Sequence, residues 1–184
     1  LMVATSGSDS FGRGVMLREL FHALQDQNFG LAQLQRFASD QDAGQALSAL
    51  VEGEAMWAVT QLMSYDFSAH AGIPEEGDID EALFEKLFHY RAGMSFVQAL
   101  HSAGGWTAVE AAYLDPPQSS SMIYHPERYI EGGNVPTSLS SLPIGRREQL
   151  LSAGVQGEYG LRLFLARSPA TRPLLEELGG AYRG

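Results

Sequence analysis

The chain has no cysteine, so neither a disulfide framework nor a thiolate metal site is available to it, and the redox compartment stays open. Cations are scarce: 12 Lys and Arg stand against 22 Asp and Glu, a formal charge of −10. A nucleic-acid surface needs clustered cations to displace counterions around phosphates, so nucleic acid is not an expected partner. No apolar run reaches membrane-spanning length, and no signal-peptide pattern opens the sequence. The start Leu1-Met2-Val3 reads like the inside of a longer protein, which leaves the question of a leader open. What is present is a 184-residue chain that is 45% hydrophobic and only 18% charged, the composition of one folded domain with a substantial core.

The periodicity is mainly helical. Leu1 to Ala4 reads as one short strand, closed by the turn residues Ser6 to Ser10. A helix is expected from Phe11 to Gln27, with Val15, Leu17, Leu20, Phe21 and Leu24 as its apolar face and Asn28-Phe29-Gly30 as its stop. A long helix from Gln41 to Phe67 carries Ala46, Leu47, Leu50, Val51, Met56, Trp57, Val59 and Leu62, and is mostly buried. After the loop Gly72 to Asp78, helices follow at 79–89, 92–103 and 106–114, with Gly104-Gly105 dividing the last two and Asp115-Pro116-Pro117 ending them. Residues 118–143 are rich in Ser, Pro and Gly and read as loop with short turns near Tyr124 to Tyr129. Helices from Gln156 to Ala166 and Pro169 to Leu178 close the chain, and no internal repeat is present.

One stretch carries chemistry. Arg18-Glu19-Leu20-Phe21-His22 fits four of the five positions of His-Glu-x-x-His. In that motif two histidines four residues apart share a helix face and bind one zinc, while the glutamate between them polarises the attacking water. Glu19 holds the general-base position and His22 the second-ligand position, but the first is Arg18. A guanidinium is permanently cationic and has no lone pair to offer, so it cannot bind zinc. On this segment alone the alternative is an ordinary helix bearing three polar residues.

The flanks add a resemblance. Arg18 to Leu31 closely resembles the stretch HELTHALQDQHFDL of a bacterial zincin-like (gluzincin) metallopeptidase family, and Ala49-Leu50-Val51-Glu52-Gly53-Glu54-Ala55 is similar to its ALVEGDA. Phe96-Val97-Gln98-Ala99-Leu100 with Gly104-Gly105-Trp106 resembles FVQALYxxGGW. Asp115 to Ser120 and His125-Pro126-Glu127-Arg128-Tyr129 resemble PPxSTEQxLHPEKY, and Gly157-Glu158-Tyr159-Gly160-Leu161-Arg162 resembles LGEYGLR. The matches run in order along nearly the whole chain. The resemblance implies a single zincin-like, mainly helical domain over residues 1–184, a portion of a longer precursor with a short N-terminal strand, and a secreted or cell-envelope setting. It implies Glu52 as the third zinc ligand.

The departures are as specific as the matches. Arg18 replaces the first histidine, Phe21 the threonine before the second, and Asn28 the histidine of QDQHF, while GWGGDRY is reduced to Leu178-Gly179-Gly180-Ala181-Tyr182-Arg183. With His22 and Glu52 as the remaining ligands, the site is one protein ligand short of three. The expectation is therefore a catalytically degenerate domain, a pseudoenzyme without zinc or other cofactor, acting as a binding or structural subunit for another protein. The alternative is an active zinc endopeptidase that recruits Glu54 or His125 as substitute ligand, or whose first ligand was replaced by mutation.

In the degenerate reading Arg18 supplies the missing positive charge through a salt bridge to Glu52, shared with Glu19 or Glu54. His125, with Tyr124 or Tyr129, is a candidate cleft donor for an oxyanion, weighed against a loop-anchoring role. His89 and His101 lie on apolar helices and read as structural, and His70 beside a Gly-Pro loop as solvated. The acidic run Glu75, Glu76, Asp78, Asp80 and Glu81 fits no EF-hand spacing and reads as a solvated face. Met56, Trp57 and Met63 read as core.

Overall fold

The computed structural model describes residues 10–63, 81–132, 154–167, 170, 171, 173 and 174, and among these the protein is mainly helical with no strand. The strand expected at Leu1 to Ala4, His70, the run from Glu75 to Asp80 and most of the 169–178 helix lie outside the described residues.

Helix α1 spans Ser10–Phe29 and stops at Gly30, which takes the left-handed conformation at φ 64. A short helix not expected from the sequence, α2, follows at Leu31–Phe37. Asp40 then caps the long α3, Gln41–Met63, by accepting the Ala43 amide at 3.0 Å. The helices expected at 79–89 and 92–103 are one continuous run: α4, Glu81–Lys86, passes through a π-helical turn at Leu87–Ala92 into α5, Gly93–Leu114. Gly104 and Gly105 kink α5 where a break was expected, with Gly105 at φ 67. The stretch read as loop holds two short helices, α6 at Ser120–Tyr124 and α7 at Pro126–Ile130, and α8 occupies Gly157–Ala166.

Helix α3 is the axis of the fold, touching α1, α5, α6, α8 and the π turn. Its small residues explain how. A Cβ on Gly53 would overlap the backbone of Gly93, and one on Gly93 would overlap the Ala49 carbonyl, so α3 and the start of α5 meet backbone to backbone. Around that contact Leu50, Phe88, Phe96, Val97, Val109 and Ile123 are buried in one core. Met56 and Val59 form a second cluster with Met63 packed on it, and Trp57 packs against the main core, as expected of them.

Helix α1 keeps its expected face in its first half, where Val15 and Leu17 pack on Met56 and Val59, and departs from it in its second. Leu20 and Leu24, assigned to the core face, are 57% and 53% exposed, whereas Gln25 is 2% exposed. The inward stripe runs through Gly14, Arg18, His22, Gln25 and Phe29, at helical spacing but largely polar. The polar partners that α3 offers this stripe decide which face turns in.

Candidate functional site

Arg18 and His22, four apart on α1, project together toward Glu52 on α3. Arg18 Nη1 donates to Glu52 Oε2 at 2.7 Å, and His22 Nε2 lies 3.2 Å from the same oxygen. The other arm of the guanidinium, Nη2, donates to Glu19 Oε1 at 2.6 Å. The fork is thus divided between two carboxylates, with one bond to Glu52, and Glu54 takes no part in it. Tyr90, delivered by the π turn, lies with its ring 5.6 Å below the guanidinium carbon. The pair is partly shielded, its side chains 20% and 26% exposed, while Glu19 is 60% exposed.

Hydrogen bonding determines the state of His22. Gln25 Nε2 donates to the Val51 carbonyl at 3.0 Å, which turns Gln25 Oε1 toward His22 Nδ1 at 2.8 Å. Both imidazole nitrogens face oxygen acceptors, which favours an imidazolium donating twice, while Arg18 Nη1, a donor 3.4 Å from Nε2, favours the neutral ring with its proton on Nδ1. The bond to Glu52 leads in raising the His22 pKa, against burial and the Arg18 charge, which lower it. Burial alone would raise Glu52, but His22 and Arg18 outweigh it and hold its pKa below the ordinary value. Burial opposes the charge on Arg18, and Glu52, Tyr90 and Glu19 more than offset it.

This donor set does not fit zinc. The ion would require a free imidazole lone pair and a carboxylate oxygen, and both point instead at hydrogen-bonding partners already present. The ligand position on α1 one turn before His22 holds a cation whose charge would repel a second one. Among the described residues no group of three or more His, Asp or Glu is placed to hold a metal ion.

Two residues on from Glu52 lies a second carboxylate of opposite character. Glu54 is 5% exposed, and its Oε2 accepts from Gln25 Nε2 at 2.7 Å and from the Tyr113 hydroxyl. Burial raises its pKa, the Gln25 and Tyr113 bonds lower it in part, and Glu110 raises it further. Tyr113 is in turn pushed far up by burial, so it stays a neutral donor, and its ring stacks on Phe29 at 4.0 Å. Gln25 and Tyr113 are the site residues that sequence reasoning passed over. Gln25 continues the Arg18, His22 face and so carried a periodic signal; Tyr113, 59 residues beyond Glu54, carried none.

The structure does not bring Tyr124, His125 and Tyr129 to this site. His125 Nε2 sits 3.0 Å from Glu158 Oε1, which also accepts from Arg162 Nη2 at 2.7 Å, and Arg162 lies 4.3 Å from the Tyr124 ring centre. Tyr129 donates to the Asp115 carbonyl at 2.8 Å. The same assembly joins the first turn of α3, where Asp42 Oδ2 accepts the Ser120 amide at 3.0 Å and Ser120 Oγ accepts the Tyr159 amide at 2.9 Å. Asp42 lies ten residues, or about 15 Å of helix rise, before Glu52. This second knot fastens α6 and α8 to the start of α3, and Gly157 is demanded there because a Cβ would overlap the Asp42 carboxylate. His89 hydrogen-bonds Gln45 Oε1 at 2.7 Å, and His101 sits edge-on to Trp106 at 5.0 Å.

Among the described residues no helix is long and apolar enough to cross a membrane. No protein-family model, no curated protein and no solved structure matches the chain.

Proposed function

We propose that this is a zincin-like domain in which an internal salt bridge stands where the metal would be, and that it acts as a binding or structural subunit for another protein and not as a peptidase. The observation that carries the reading is the 2.7 Å bond from Arg18 to Glu52, with His22 on the same oxygen at 3.2 Å. The motif order along the chain supports the family assignment, and the occupied carboxylate supports loss of the chemistry. An Arg18 guanidinium in the ligand position leaves Glu19, the general-base position, neutralised by a cation beside it instead of facing an activated water.

A peptidase with a substitute ligand finds no support in the geometry: Glu54 is engaged by Gln25 and Tyr113, and His125 by Glu158 at the far end of α3. The test is metal analysis of the purified protein beside a peptidase assay on an unstructured substrate. Substoichiometric zinc and no cleavage are expected. Zinc near one equivalent with chelator-sensitive cleavage overturns the proposal. In Arg18→His, zinc binding is expected, because the Gln25 amide already orients His22 through Nδ1 as an outer partner of a metal-bound histidine would. Failure of this variant to bind argues against a zincin ancestry of the site.

A further inference from the structure

A groove of about 710 Å³ runs beside the salt-bridge site, between α1, α3 and α5. Its apolar wall is formed by Phe21 and Leu24 of α1, Leu62 of α3 and Trp106 of α5. Leu24, Leu62 and Trp106 are 53%, 69% and 40% exposed, and large apolar side chains gathered in one concavity mark a binding surface. The polar part of the lining has one sign of charge. Glu54 and Glu110 are its acidic residues, and no Lys, Arg or His lines it. Both hydrogen bonds to Glu54 fall on Oε2, so among the described residues Oε1 and the whole Glu110 carboxylate are without a partner. Two carboxylates lining one groove, with no cation among the lining residues, form a site complementary to a positive charge.

We infer that this groove docks a segment of a partner protein bearing a lysine or arginine between apolar residues, with the cation seated at Glu54 and Glu110 and its neighbours packed on Leu24, Leu62 and Trp106. The inference rests on the binding-subunit reading above and names the chemistry of the partner. A free amine would satisfy the carboxylates but leave the apolar wall uncovered. The chain's own residues 64–80, which follow α3 directly, contain Asp66, Glu75, Glu76, Asp78 and Asp80 and no Lys or Arg, so they carry the wrong sign for the groove. A second copy, with a net charge of −10, is repelled overall.

The experiment uses the whole chain and three fluorescein-labelled nonapeptides with leucines flanking a central lysine, norleucine or glutamate, followed by fluorescence polarisation. The lysine peptide is expected to bind, more weakly as salt is raised, and at least about ten-fold more tightly than the norleucine peptide. Glu54→Gln should weaken the lysine peptide by about ten-fold or more. Glu110→Lys, at an exposed residue without partners, leaves the fold alone and should weaken it by about two- to five-fold or more. Equal binding of the three peptides, or insensitivity to Glu110→Lys, overturns the charge-reading groove. The sequence Leu142-Pro143-Ile144-Gly145-Arg146-Arg147 is the chain's own pair of cations beside apolar residues, and binding that appears only after Arg146 and Arg147 are changed to alanine overturns the inference in favour of occupation by the chain itself. Zinc content and cleavage of the same peptides separate the two proposals: no binding by a zinc-free, inactive protein removes the groove alone, while chelator-sensitive cleavage of a bound lysine peptide removes the pseudoenzyme alone.

Discussion

Glu52 and Glu54 lie two residues apart on one helix and behave as opposites. Glu52 sits between a guanidinium and an imidazole that outweigh its burial and hold its pKa down; burial, with Glu110 nearby, pushes the pKa of Glu54 up, and the amide and phenol that bond it offset this only in part. Residues two apart on a helix point in widely different directions, so the two straddle α1 instead of sharing a neighbour. Gln25 stands between them, its oxygen toward His22 and its nitrogen toward Glu54. Burial weighs on both, so the difference in their proton affinities comes from the two cationic hydrogen-bond partners that α1 presents to Glu52 and does not present to Glu54.

The harshest way to break the contrast is to move α3 itself. Gly53 lies between the two glutamates and meets the Gly93 backbone, so Gly53→Ala forces the helices apart and displaces both carboxylates. We expect a loss of about 3 kcal/mol or more, since backbone cannot step aside as a side chain can. A urea midpoint close to that of the parent protein would show that the glutamates are not positioned by this contact.

Arg18→Ala acts on the Glu52 side alone. It leaves a shielded carboxylate to His22, and a loss of about 2 kcal/mol is expected, between that for a fully buried pair and a solvated one. Arg18→Ala combined with Glu52→Gln should recover part of it, with a coupling of about 1 kcal/mol in a double-mutant cycle. Strict additivity would mean that the bond contributes nothing.

These two sites were legible to different degrees. Arg18 and His22 four apart define one helix face from sequence alone, and the Ala49 to Ala55 motif pointed to Glu52 as their partner. Gln25 is given no role by the sequence, because glutamines are usually exposed; burial by three tertiary partners leaves no local trace. The same tertiary demand turned the second half of α1, where Leu20 and Leu24 follow helical periodicity yet face outward. Helix α2 and the π turn were missed for another reason. A seven-residue helix shows less than two turns of pattern, and a π turn inserts its extra residue without any residue type that announces it.

On the Glu54 side the expected effects are smaller. Tyr113→Phe removes one donor and leaves Gln25 and water to serve Glu54, for a loss of about 1–2 kcal/mol. Thermal unfolding compared with Gln25→Leu would sharpen this, since Gln25 bonds Glu54 directly and reaches Glu52 through His22, and its loss should exceed that of Tyr113→Phe. If Tyr113→Phe were the more damaging, the phenol and not the amide would be what links the two sides.

The subtlest separation is in pH, where the two glutamates carry opposite signs. Glu52 has a folded pKa below its ordinary 4.5, so its contribution is present above that value and is lost as pH falls through the folded pKa. Glu54 has a folded pKa above 4.5, so the folded state holds its proton more tightly than the unfolded chain does. Its contribution is fully present below 4.5 and declines as pH rises through the raised value. His22, raised above 6.5 in the folded protein, likewise contributes fully below 6.5 and loses its contribution as pH rises through its folded pKa, provided Glu52 is charged. Glu54→Gln removes only the alkaline decline due to Glu54, so its stability relative to the parent should rise as pH is taken upward from 4.5. Glu52→Gln removes the acid-side gain and the His22 partnership together, so its deficit should grow as pH climbs to 4.5 and then shrink above 6.5 as the parent loses the His22 contribution. Urea midpoints for the three proteins across this range decide the matter: a Glu52→Gln profile that falls relative to the parent as pH climbs to 4.5, beside a Glu54→Gln profile that is level there and rises above it, keeps the two carboxylates distinct, and parallel profiles would show them to be one titrating unit.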